Sequence, residues 1–460
     1  MSETKTTMTW SAAAVALAVL ALATAPRLAT PDAFVDRGEP FFPEFTDPNV
    51  ARALEVVEFD GETGSARPFQ VANRDGLWTI PSHHDYPADG ADRLARTAAG
   101  VIGITRDDFR SDNVADHEAL QVLDPFDEAE TSLGGRGTRV TLRGANDVAL
   151  ADFIIGGELE DRPGFRFVRL PEQKRVYAVR MDIDLSTSFA DWIEPDLLLL
   201  EQADIDRLEL YDYAIDERTL SINDRDTVTL EKADGTWTGD SRMPADREVD
   251  STKVTELLSA VDGLSIVGVR PKPEGLSANL QRVDEGGITR ADLASLQSRG
   301  YYLTREGDLR SNEGELRVRT SDGILYTLRF GEVLYGAGDA VSAGGSTDAS
   351  AEEAGPGENR YLFITAEFER DRFPEPPAPE NMEFEGKAEA DLTDGDRTNQ
   401  DRHEIHTEWA EQVAAGEGRL EELEARFTPW YYVISSESFE KVRLTRADVT
   451  KEREAEDASS

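Results

Sequence analysis

The 460-residue chain contains no cysteine. Disulfides, thiolate catalysis, cysteine-ligated zinc and a lipidated cysteine anchor are therefore excluded, and the fold must be held by packing alone. Lysine is nearly as scarce, at 8 of the 49 basic residues, the other 41 being arginine. Positive charge as a whole is in deficit, since 92 acidic residues leave a net charge of −43. So acidic a surface repels phosphate backbones, which excludes nucleic acid as an expected partner. What the chain does have is a hydrophobic fraction of 39%, enough for sizeable cores, and a length that suits two or three domains.

Several motifs are also missing. There is no Gly-x4-Gly-Lys-Ser/Thr phosphate loop, no Gly-x-Ser-x-Gly elbow and no His-Glu-x-x-His. Gly416-Glu417-Gly418 lacks the preceding strand that a dinucleotide fingerprint requires. No catalytic residue and no cofactor site can be assigned.

One long apolar run exists. Met8–Ala25 carries no charge over 18 residues, with Lys5 before it and Arg27 after it. A helix that crosses a bilayer needs about 20 apolar residues. Ala23-Thr24-Ala25 offers a signal-peptide cleavage site, but Pro26 directly after it disfavours cutting. A helix apolar on every face has no evident place to pack in a soluble fold. The run is therefore read as an uncleaved transmembrane signal anchor within residues 1–30. It predicts a single-pass protein of the cytoplasmic membrane whose bulk lies on the outer, periplasmic face.

The most informative pattern is internal self-similarity. Asp75-Gly76-Leu77-Trp78 and then Pro87-Ala88-Asp89 precede a helical pattern through Leu94, Ala98, Val101 and Ile102. Asp234-Gly235-Thr236-Trp237 and then Pro244-Ala245-Asp246 precede another through Val254, Leu257, Leu258 and Val261. Both helical spacings leave one apolar face. Alternating runs around the turns at 144–147 and 321–323 predict a hairpin in each half. Closing strands are expected at Phe165–Leu170 and Arg175–Val179, and again at Trp430–Ile434 and Lys441–Leu444. The matching positions of Trp78 and Trp237 suggest core packing where sheet meets helix. The predicted fold class is α+β. It consists of two diverged copies of a module of antiparallel β-meander plus amphipathic helix, at 50–200 and 201–450, with a charged tail at 451–460. The tail is expected to fray from Arg446 onward.

The second copy carries an insertion at about 336–428. Gly336–Asn359 is rich in Gly, Ala, Ser and acid and reads as flexible. Tyr361–Phe368 reads as a strand, and Pro374–Pro379, with four prolines in six residues, as an extended spacer. Asp401–Phe427 reads as helix, with Ile405, Trp409 and Val413 on one stripe and an interruption at Gly416 and Gly418.

Two places could hold a metal. His83, His84 and Asp85 offer imidazole and carboxylate ligands, but adjacent rings rarely aim at one ion, and a polar loop explains them as well. His403 and His406, beside Glu404 and Glu408, could share a helix face, and so could any solvated acidic helix. Neither is assigned as a metal site. Singling out Asp107-Asp108 or Glu352-Glu353 as an acid–base pair would be arbitrary in so acidic a chain.

Trp78-Thr79-Ile80-Pro81-Ser82-His83-His84-Asp85-Tyr86-Pro87-Ala88-Asp89 resembles the hallmark of the domain of unknown function 4340 (DUF4340) family, in its planctomycete-type form. Asp116-His117-Glu118-Ala119, Val122–Pro125, Leu150–Gly156 and Asp191–Leu198 extend the resemblance, which runs from about 50 to 450. It implies an N-terminal membrane segment, repeated domains and, by genomic context, an extracytoplasmic accessory of an ABC-type or gliding-type transport complex. Permease or ATPase subunits are the partners so implied; no catalytic residues come with the family. The Ile405, Trp409, Val413 stripe is the candidate partner-binding surface, and packing on the protein's own module is its rival. The functional alternatives are a ligand- or polymer-binding module at the exported face and, further off, a metal-dependent enzyme.

Overall fold

The computed structural model describes residues 36–453 except 62–63, 128, 130–131, 217, 220, 274–288, 305–308, 337–338 and 344–357, together with Ala14 and Leu17. The anchor predicted at Met8–Ala25 thus lies almost wholly outside the described residues, as does Glu352-Glu353. Among the described residues no helix is long and apolar enough to cross a membrane. The fold is α+β, its named strand pairs antiparallel, and it divides into two compact units: residues 1–75 with 91–186, and residues 76–90 with 187–460.

The first unit begins with the hairpin β1 (Ala53–Asp60) and β2 (Ser65–Arg74). The chain then forms β3 (Leu77–Ile80) and β4 (Tyr86–Pro87), which group with the second unit, before returning through helix α1 (Ala91–Ile102). Strands β5 (Asp108–Ser111), β6 (Thr138–Arg143), β7 (Ala149–Glu158), β8 (Phe165–Arg169) and β9 (Val176–Arg180) follow. The strands of this unit lie in the order β2-β1-β6-β7-β8-β9-β5. Alternation sets the burial: Leu54, Val56, Val140, Leu142 and Phe153 all point inward and are buried.

The second unit opens in the same way with β10 (Ile205–Asp216), β11 (Ser221–Ala233), β12 (Thr236–Gly239), β13 (Arg247–Val249), helix α2 (Ser251–Asp262) and β14 (Gly268–Pro271). Helix α3 (Arg290–Gln297) and the small hairpin β15 (Tyr301–Leu303) and β16 (Leu309–Ser311) intervene before β17 (Glu315–Thr320) and β18 (Ile324–Leu334). A single helical turn, α4 (Asp339–Ser342), precedes β19 (Asn359–Phe368). The long helix α5 (Asp394–Phe427) leads into β20 (Trp430–Ile434), then short helices α6 (Ser436–Val442) and α7 (Arg446–Val449) and strand β21 (Thr450–Glu452). The sheet order is β12-β11-β10-β17-β18-β19-β20-β14.

Several expectations are corrected. Trp78 and Trp237 are half-buried on β3 and β12, strands that open from Asp-Gly turns with φ positive at both residues. Among the described residues the fully buried tryptophan is Trp192. The expected strand at Lys441–Leu444 is instead helix α6 and its end, started by the Ser435 hydroxyl accepting from Ser438 N–H. From Arg446 to Glu452 the chain does not fray: Arg446 holds both oxygens of Asp226, and β21 pairs with β13, while 454–460 lie outside the described residues. Most of the insertion expected to be flexible at 336–359 lies outside the described residues, but Val341 of α4 is buried.

Helix α5 begins earlier than expected and runs unbroken for 34 residues, about 51 Å at 1.5 Å per residue. Gly416 does not interrupt it. A side chain there would strike the Phe368 ring, so glycine is what lets the helix lie on the sheet. The N-terminal half is clasped by a strap, the segment 373–392. Trp409 Nε1 donates to Phe373 O at 2.8 Å, Glu380 N–H donates to Asn399 Oδ1 at 2.9 Å, and Lys387 Nζ reaches both Asp396 oxygens at 2.8 Å. That lysine, with Thr393, holds the Asp396 carboxyl down at about 2.

Candidate functional site

The segment that carries the family-like motif folds as a compact clamp within the second unit. Pro81–His83 form one 3-10 turn, and His84 and Asp85 then take left-handed backbone at φ 60° and 58°. Two consecutive non-glycine residues there are strained, and the surrounding bonds must hold them. His83 is 2% exposed and stacks on Phe189, ring centroids 4.7 Å apart. Its Nδ1 lies 3.0 Å from the Ser82 hydroxyl and its Nε2 2.9 Å from the Ser342 hydroxyl. His84 Nε2 donates to Ala343 O at 2.7 Å. Burial, and then the nearby His84 and Arg270, push the His83 pKa down to about 4. The ring is therefore neutral at pH 7, donating through one nitrogen and accepting through the other.

A seryl hydroxyl beside an imidazole is the beginning of a nucleophile–base pair. Here the depressed pKa makes His83 a weak base, and both ring nitrogens tie down polypeptide. The arrangement fastens α4 to the motif loop. His83 and His84 point at different groups and Asp85 lies against Thr79, so the three candidate metal ligands do not converge. Among the described residues no cluster of three or more His, Asp or Glu is placed to hold a metal ion.

Beyond the clamp, Asp89 N–H donates to Trp192 O at 2.9 Å, which joins the Pro-Ala-Asp turn to the Trp-Ile-Glu-Pro stretch. Tyr86 meets Trp430 edge-on at 5.1 Å. Arg426 of α5 donates to Leu197 O at 2.9 Å and Asp196 O at 2.6 Å. These elements form a groove of about 360 Å³ lined by the apolar Tyr86, Pro87 and Trp430 and by the acids Asp85, Asp89 and Glu194. Sequence reasoning missed this groove, because its walls come from three stretches far apart in the chain; the shared motif residues were the available signal.

The helix α5 candidates separate. Val413 is 5% exposed and Trp409 is half-buried against the strap at Phe373, so both serve the protein's own packing. Only Ile405, 54% exposed, faces outward. His406 Nε2 lies 3.3 Å from Glu375 and His403 packs beside Phe384, so these rings engage different strap residues. In the first unit, Asp107 accepts from the Thr105 hydroxyl at 2.8 Å and from Arg180 N–H at 2.9 Å, while Asp108 pairs with Arg37 at 3.0 Å and with Arg162.

A charged cluster that sequence reasoning did not anticipate lies inside the second unit. The Glu315 carboxylate is buried and accepts from Arg310 Nη1 at 3.0 Å, Arg317 Nη2 at 2.9 Å and the Tyr213 hydroxyl at 3.3 Å. Arg329 Nε lies 3.3 Å from it and also donates to Thr365 Oγ1 through Nη1 at 3.0 Å.

No curated protein and no solved structure matches the chain. Residues 78–280 match the family described as Domain of unknown function (DUF4340), a stretch that begins in the motif hairpin at Trp78 and runs past α2 and β14. Over those residues the chain is similar to DUF4340 proteins.

Proposed function

We propose that the protein is a non-enzymatic interaction protein, held at the outer face of a membrane by Met8–Ala25 and built from two diverged copies of one module. The duplication is supported by the two sheet orders. In each, the first strand lies between the second strand and a later meander, and the strand after the helix ends the sheet beyond that meander. The resemblance to DUF4340 proteins favours subunits of an ABC-type transport complex as partners.

The observation that carries the reading is the strap-clasped half of α5. Asp401, Glu404, Ile405 and Glu408 are exposed on its outer side, and among the described residues none has a side-chain hydrogen bond or ion pair. An exposed isoleucine rimmed by unpaired acids suits a docking helix for a partner with a basic, apolar-centred surface. The test is affinity capture of the full-length tagged chain from mild-detergent membranes. Wild type should recover permease or ATPase subunits, and a Glu404→Lys, Ile405→Asp, Glu408→Lys variant should lose them while unfolding at the same temperature. Equal recovery by both chains would reject the helix, and no specific recovery by wild type would reject the accessory role. Excising 371–428 is the wrong variant, since it removes the buried Leu423 and Phe427.

A second reading, an extracytoplasmic ligand-binding module, is favoured by the groove at Tyr86 and Trp430, where a lining of apolar and acidic residues suits a cationic or amphipathic ligand. Loss of ligand-induced thermal stabilisation on Trp430→Ala would support it.

A further inference from the structure

We propose that a groove on the first unit receives the headgroup of a zwitterionic phospholipid, its phosphate on arginines and its ammonium on aspartates; the proposal rests on the reading of Met8–Ala25 as a membrane anchor. The groove measures about 590 Å³, and its charged lining is Arg37, Arg162 and Arg180 with Asp107, Asp108 and Asp182. The Arg162 guanidinium lies 3.8 Å from the centre of the Phe165 ring, which fixes its plane. Arg180 and Asp182 are exposed, and among the described residues neither side chain has a hydrogen bond or ion pair. One free cation and one free anion therefore stand two residues apart on the same rim. Gly100, also in the lining, lets α1 pack closely on this stretch, since a side chain there would meet Asp182 O at 3.1 Å.

Position supplies the second argument. Arg37 and Gly38, which line the groove, are also where the chain from the N-terminal run joins the unit. Gly38 N–H donates to Arg106 O at 2.8 Å, Phe41 N–H donates to Ile104 O at 3.1 Å, and Phe41 and Phe45 are buried. The Tyr177 hydroxyl donates to Asp36 at 2.5 Å. From Ala25 to Asp36 the chain has eleven steps, which span at most about 36–40 Å. An anchored chain thus keeps this groove within about 40 Å of the end of the anchor, a tether that permits contact with the headgroup layer.

Charge selects the class of lipid. A chain of net charge −43 is repelled by an anionic surface. A headgroup of zero net charge avoids that repulsion, and a lining of three arginines and three aspartates complements both of its ends. Arginine is the side chain best suited to a phosphate, which it binds in a two-pronged manner.

The test uses the full-length chain in detergent, delipidated and then given phosphatidylethanolamine, phosphatidylglycerol, glycerophosphoethanolamine or inorganic phosphate. Retained lipid is counted by native mass spectrometry, and the thermal midpoint is read for the soluble probes. Wild type should retain one phosphatidylethanolamine in preference to phosphatidylglycerol. The doubly reversed Arg180→Glu, Asp182→Lys variant, of equal net charge, should bind about tenfold more weakly or worse. Unchanged retention by that variant, or preference for phosphatidylglycerol, overturns the proposal. Stabilisation by inorganic phosphate equal to that by the soluble headgroup overturns it in favour of a free-phosphate site. A separate alkaline wash of vesicles carrying the full-length chain reports on the anchor alone. Release of the chain there rejects the anchor, whereas a chain still held but without retained phosphatidylethanolamine rejects only the groove.

Discussion

At the scale of single residues, His83 and Glu315 show what a polar group costs when the fold closes over it. The His83 ring titrates near 4 in the folded protein against an ordinary value of 6.5. Between those values the unfolded chain takes up a proton that the folded chain refuses. The stabilisation from His83 is therefore complete above pH 6.5 and drains away as pH falls toward 4, by at most about 3 kcal/mol. The stability gap between wild type and His83→Gln, measured by urea unfolding at pH 7 and again near pH 4.5, should narrow by on the order of 2 kcal/mol. Glu315 is held by several cationic partners, so Glu315→Gln should cost about 3–5 kcal/mol, read as a lowered urea midpoint. A structural, polar-loop role for His83 was open in the sequence, but the role of Glu315 was not legible there. Leu316 and Val318 mark the inward face of β17, which assigns Glu315 and Arg317 to solvent. What reverses that assignment is the β15–β16 hairpin, whose Leu309 and Ser311 close over the charged face. Its own pattern gives no sign of where it will lie.

At the scale of elements, helix α5 separates two glycines that look alike in sequence. A side chain at Gly416 would enter the Phe368 ring, whereas one at Gly418 would meet nothing within 4 Å. Gly416→Val should therefore destabilise by about 1–3 kcal/mol, through overpacking. Gly418→Ala should stabilise by about 0.5–1 kcal/mol, because alanine is the better helix former. Urea unfolding of the two variants checks both signs. In sequence the pair reads as a break because each glycine costs helix propensity, and propensity is what the sequence displays. Packing against Phe368, a residue on another strand, decides the matter and cannot be seen locally. The hairpins around 144–147 and 321–323 were legible for the opposite reason: period-2 alternation and turn residues are local signals, and β6–β7 and β17–β18 follow them. The candidate surface was legible only in part, since the apolar stripe reveals that Trp409 and Val413 need a partner but not that it lies within the protein's own fold, for Trp409 at Phe373 of the strap.

At the scale of the whole molecule, 92 acidic residues against 49 basic ones leave repulsion that no set of ion pairs can cancel. Added salt should screen it, so Tm should rise between about 0.05 M and 1 M NaCl. A fall in Tm, checked by calorimetry, would mean that the arginine–carboxylate pairs outweigh the repulsion. The recurrence of Asp-Gly-x-Trp and Pro-Ala-Asp was visible in the sequence, but the allegiance of residues 76–90 was not, because a contiguous reading assigns them to the unit that flanks them. That crossing has a consequence in time. The ribosome releases Tyr86 long before Trp430, the ring it packs against. At about 5–20 residues per second the wait is on the order of tens of seconds. Through that interval Tyr86 has Phe189 beside it but not Trp430, so this aromatic contact closes only when synthesis is nearly complete.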